Sequence, residues 1–130
     1  MWLSITSSVV SLGYMLGLCY LSFIGAGHLG RYYRRYWIRS DDLLHFLAFL
    51  LLTLLLRVMF STQMYRKYLR HPKRWAAGLA LTLAIFIESV QLVLPTRHAT
   101  WFDLCLHAAG ICAFLAMDKA IEGPIERLVA

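Results

Sequence analysis

Charge is what this sequence has least of. Only 15% of its 130 residues are Asp, Glu, Lys or Arg, against about a quarter in an ordinary soluble domain. Those few charges gather in short stretches between long apolar runs, which excludes a domain solvated on all sides. Cysteine is scarce and odd in number. Cys19, Cys105 and Cys112 all fall inside apolar runs, which argues against a disulfide framework and leaves them as small apolar side chains. Glycine-rich phosphate loops, an HExxH pattern and a serine at a nucleophile elbow are all missing, so no familiar motif of phosphate transfer, zinc hydrolysis or acyl transfer is present. There is no low-complexity segment, no linker and no convincing repeat. The first apolar run lacks a basic leader and is too long for a typical signal peptide, so it reads as a retained helix.

What the sequence does contain is hydrophobic residues, 60% of the total, with a mean hydropathy of +0.62. They form four runs, at about 2–27, 43–60, 75–94 and 101–117. Each is near the ~20 residues needed to cross a bilayer as a helix. The expected fold is therefore all-α, an integral membrane bundle of four transmembrane helices forming a single domain over 1–130. Gly13 and Gly17, with Ser4, Ser7, Ser8 and Ser11, give the first run small and weakly polar faces. These suit packing inside the bundle or a homodimer seam. Ala76, Ala80 and Ala84 put a similar stripe on the third run, and Pro95 ends it.

The net charge of +6 would suggest nucleic acid in a soluble protein. Here the basic residues flank the spans, and in the 28–40 segment arginines mix with tyrosines and a tryptophan, as in a headgroup layer. Membrane lipids are the expected partner, and nucleic acid is not. Alternating crossings put Arg66, Lys67, Arg70, Lys73, Arg74, Lys119 and Arg127 on one side, with Arg57 snorkelling towards it. Arg31, Arg34, Arg35, Arg39 and Arg97 fall on the other. Eight cations against five predict a multi-pass protein of the cell membrane with both termini in the cytoplasm.

The same alternation brings the polar residues of the spans to one membrane face. Asp41, Asp42 and His45 open the second helix, and Glu88 and Gln91 close the third. Arg97 and His98 lie in the following loop, and Asp103 and His107 open the fourth. The pairs Asp41/His45, Asp103/His107 and Glu88/Gln91 each share a helix face. Glu88 lies about two turns inside an apolar run, where an ionisable group costs several kcal/mol unless paired or wetted. Arg97 is its natural partner, and Asp103 competes for the same guanidinium. Three roles fit this cluster. It can be a structural network, a pocket for a headgroup or lipid-linked ligand, or a catalytic site with Glu88 or Asp103 as general base and His45 or His107 as proton carrier. The Asp-x-x-x-His pairs offer possible metal ligands, but the pattern is generic; neither a metal nor a cofactor is expected.

Two stretches carry a family resemblance. Asp42, Leu43, Leu44, His45 and Phe46, followed by an apolar helix, resemble the first motif of the VanZ-like membrane proteins. Glu88 and Gln91, then Pro95 and Arg97, then Asp103 and Gly110, resemble the second, across more than twenty positions. The chain departs from the family at His107, where asparagine is usual, and Asp41 is extra. The resemblance implies a four-helix cell-envelope protein with functional candidates at Asp42, His45, Glu88, Gln91, Arg97 and Asp103. It further implies a link to resistance against the glycopeptide teicoplanin. The expected function is non-enzymatic, with the cluster binding an anionic or lipid-linked envelope component. The alternatives are a small membrane enzyme acting on a lipid phosphate or lipid-linked sugar, with Glu88, Asp103 and His45 as catalytic candidates, and an assembly subunit of an exopolysaccharide or protein-sorting complex. A homo-oligomer or a larger membrane complex is compatible with each.

Overall fold

The computed structural model describes residues 2–23, 40–94 and 100–129. They form five helices: α1 (Trp2–Phe23), α2 (Ser40–Ser61), the single turn α3 (Gln63–Arg66), α4 (Pro72–Val93) and α5 (Trp101–Val129). Four of them, α1, α2, α4 and α5, are long and apolar enough to span a bilayer. A 22-residue helix such as α2 or α4 is about 33 Å long, close to the hydrocarbon thickness of about 30 Å. The all-α four-span architecture expected from the hydrophobic runs is therefore the one observed.

Local chemistry sets the boundaries. Thr62 interrupts the chain after α2. Its backbone is extended, and its Oγ1 donates to the Met59 carbonyl at 2.7 Å. Pro72 stands in the first turn of α4, where its fixed φ is helical and its missing N–H costs nothing. That helix consequently begins before Trp75, the start suggested by hydropathy. At its other end Leu94 is extended, the conformation imposed on a residue preceding proline. Thr100 caps α5. Its hydroxyl accepts from the Asp103 N–H at 3.2 Å, satisfying one free donor of the first turn, and donates to Asp103 Oδ2 at 2.7 Å.

The largest departure from expectation is the length of α5. Hydropathy ends the span near Met117, and Gly123–Pro124 reads as a tail, yet the helix continues to Val129 with Pro124 inside it. Proline removes one backbone donor but keeps a helical φ. Ile125 and Val129 are buried beyond it, so packing holds the final turns. The first run was expected to reach residue 27; positions 24–27 lie outside the described residues.

The bundle is organised around α2, which packs against α1, α4 and α5. Its buried residues Phe49, Leu52, Leu56 and Met59 meet the alanine stripe of α4, Ala76, Ala80 and Ala84, with Ile87 and Ile111 completing the core. Small residues at such a seam let helix backbones approach closely, while large apolar residues face outward into lipid. Gly110 makes the tightest approach. A Cβ there would overlap the Phe46 carbonyl oxygen and sit 3.1 Å from the Leu50 nitrogen. By contrast, a Cβ at Gly13 or Gly17 meets nothing within 4 Å, so these glycines are not packing sites within the described chain. Helix α1 packs Tyr14, Met15, Leu18, Cys19 and Phe23 against the core and adds polar stitches. Ser11 Oγ donates to the Leu55 carbonyl at 3.2 Å, and Tyr14 OH donates to the Ala48 carbonyl at 3.2 Å. Ser8 Oγ also bonds Tyr65 OH at 3.1 Å.

Candidate functional site

The N-terminal ends of α2 and α5 and the C-terminal end of α4 meet at one end of the bundle, as alternating crossings require. Three side chains from these three helices line up there. His45 Nδ1 is 2.8 Å from His107 Nε2, and His107 Nδ1 is 3.6 Å from Glu88 Oε1. His107 is 1% exposed and Glu88 7%, whereas His45 is half-buried. The His107 ring lies between two aromatic neighbours, with centroids 4.9 Å from His45 and 4.1 Å from Phe49. The imidazole is thus fixed by packing as well as by its hydrogen bond.

Neither carboxyl oxygen of Glu88 has a hydrogen-bond partner among the described residues, and His107 Nδ1 has none either. The 3.6 Å contact between them exceeds hydrogen-bond length. A buried carboxyl without its complement of donors is costly, because it has given up water for nothing of equal strength. Such a group is retained where its chemistry is used or where a ligand completes it.

The other expected site residues are distributed around this line. Gln91 is buried one turn beyond Glu88, and its Nε2 donates to the Ser22 carbonyl at 3.2 Å; it ties α4 to α1. Asp103 bonds Thr100 at the start of its own helix. Asp42 is half-buried in the first turn of α2. Arg97, the expected partner of Glu88, lies outside the described residues, as does His98. Among the described residues no three His, Cys, Asp or Glu side chains are arranged to hold a metal ion.

His107 is the middle of the line. The sequence offers it as a proton carrier, four residues from Asp103, though not among the expected ligand-binding residues. One feature escaped the sequence reading, and it lies at the opposite end of the bundle. Arg57 does not snorkel outward: it is 5% exposed, with Nε 3.1 Å from Asp118 Oδ1 and Nη2 3.7 Å from Glu122. It also bonds Ser61, and Lys73 Nζ is 3.7 Å from Asp118 Oδ2. Only the continuation of α5 past Met117 brings Asp118 and Glu122 into place.

Comparison with known proteins yields one finding. A family model described as VanZ/LLP1 matches residues 18–120, most of the chain. No curated protein and no solved structure gives a match.

Proposed function

The chain belongs to the VanZ/LLP1 family, and on that footing we propose that it is a cell-envelope protein whose polar end binds a lipid-linked component of the envelope. The observation that carries this reading is Glu88, a buried carboxyl whose two oxygens lack donors among the described residues. It sits where the spans open towards the headgroup layer. The ligand would supply those donors, as the hydroxyls of a lipid-linked sugar do. Any anionic part of the ligand would fall to Arg97. In this arrangement both termini are cytoplasmic and the polar end faces outward, where envelope precursors are displayed. Teicoplanin susceptibility is the cellular phenotype attached to this reading.

The test compares purified wild type and Glu88→Gln with vesicles containing a polyprenyl-phosphate-linked sugar. A ligand at a hundred times its Kd stabilises the folded state by about 2.7 kcal/mol. Wild type should show a rise in thermal midpoint of matching size and Glu88→Gln little or none. Equal rises in both, or none in wild type, would remove Glu88 from the proposed site. In cells, expression of wild type should reduce teicoplanin susceptibility more than expression of the variant.

A further inference from the structure

We propose that Glu88, His107 and His45 form a proton-transfer chain that carries a proton between a buried ligand and the membrane surface. The inference deepens the binding reading above and rests on it for the source of the proton, an ionisable O–H such as a hydroxyl or acid phosphate.

The three groups are in series. A carboxyl on α4 faces one nitrogen of the α5 imidazole, and the other nitrogen of that ring is hydrogen-bonded to the α2 imidazole. Glu88 and His107 are both buried, and His45 at the end of the line is half-buried. One ring nitrogen of His107 is thus hydrogen-bonded to a proton-exchanging group, and the other faces one at 3.6 Å. A histidine that merely fills space needs neither contact. The 3.6 Å gap from Glu88 is a few tenths of an ångström beyond a hydrogen bond, a distance closed by a small side-chain movement or a bridging water when a ligand seats.

The proton inventory balances. In the starting arrangement Glu88 holds a proton, His107 carries one on Nε2 and donates it to His45 Nδ1, and His45 carries its own on Nε2. The Glu88 proton moves to His107 Nδ1 while the Nε2 proton of His107 moves to His45 Nδ1. The result is a carboxylate, a neutral His107 in its other tautomer and an imidazolium at His45. His45 then releases its Nε2 proton at the surface. The carboxylate accepts the proton of the ligand O–H, and departure of the ligand runs the sequence backwards. Only O–H and N–H bonds form and break.

The carboxyls and imidazoles at this end, among the described residues, are Asp41, Asp42 and His45 on α2, Glu88 on α4, and Asp103 and His107 on α5; α1 contributes none. The test uses dicyclohexylcarbodiimide, which modifies protonated carboxyls in apolar surroundings. The full-length protein in detergent is labelled across a pH range and the adducts are mapped by mass. Wild type should label at Glu88, with a pH midpoint that moves by about one unit, a tenfold change in proton affinity, in His107→Asn and in His45→Gln. Asp118, paired with Arg57, serves as the internal reference for an intact fold. Absence of Glu88 labelling at every pH, or the same midpoint in all three proteins, overturns the chain.

Should the variants fail to fold, nitrogen-15 spectra of wild-type histidines decide. Scalar coupling between His45 Nδ1 and His107 Nε2 and a joint response to pH support the chain; two rings titrating independently overturn it. Because no ligand enters these measurements, unchanged profiles alongside intact lipid binding refute the relay alone. Changed profiles without lipid binding refute only the binding reading.

Discussion

Arg57 and Glu88 are buried at opposite ends of this bundle, and their neighbours treat them differently. Arg57 is surrounded by oxygen atoms from Asp118, Glu122 and Ser61. Among the described residues, Glu88 faces an imidazole nitrogen at 3.6 Å. Removing one member of a buried pair strands the other and costs about 3–5 kcal/mol. Arg57→Ala should therefore lower the thermal midpoint by leaving the buried Asp118 with only the half-exposed Lys73 ammonium at 3.7 Å. Glu88→Gln should leave it unchanged or raise it, as neutralising a functional group commonly does. Calorimetry of both variants in the same detergent checks the contrast; a fall in Glu88→Gln as large as that of Arg57→Ala would make Glu88 structural. Sequence alone pointed to Glu88, because a carboxyl deep in an apolar run has to be explained. It misplaced Arg57, because snorkelling and pairing look the same until the partner helix is known to extend far enough.

At the level of elements, the contact between α2 and α5 depends on one missing side chain. Gly110→Ala would drive a methyl group into the Phe46 carbonyl. Overpacking of this kind typically costs about 1–3 kcal/mol, measurable as reduced resistance to denaturing detergent. Gly13→Ala and Gly17→Ala face open space and should change stability by less than about 1 kcal/mol, which the same assay can read. Both kinds of glycine look alike in a linear sequence, and the small-xxx-small spacing of Gly13 and Gly17 does not mark a packing site within the described bundle. What separates them is which face of α1 meets α2. That is decided by the serines at positions 4 and 11, the two buried residues of the helix. The alanine stripe of α4 was legible for the opposite reason: three alanines at four-residue spacing in an otherwise bulky helix define one face without reference to a partner.

For the whole molecule, four crossings place the turn around Arg70 and the start of α5 on opposite sides of the membrane. In a variant lacking its native cysteines, Arg70→Cys and Thr100→Cys should react with a membrane-impermeant maleimide from opposite faces. Labelling of Thr100→Cys from outside agrees with cytoplasmic termini, and labelling only from inside reverses that orientation. The number of spans and the convergence of polar residues at one end were readable because both follow from run length and alternation. The proton-exchanging line was not, because a hydrogen bond between His45 and His107 joins residues 62 positions apart and depends on how α2 and α5 are rotated.

The length of α5 has a practical consequence. Its 29 residues extend about 44 Å, some 14 Å more than the hydrocarbon layer of about 30 Å. The surplus is a stalk rooted in the bundle by Asp118, Ile125 and Val129. A soluble domain fused in continuous helical register after Val129 would inherit that rooting and project from the membrane as a rigid fiducial, large enough to orient a 14.9 kDa particle in electron micrographs.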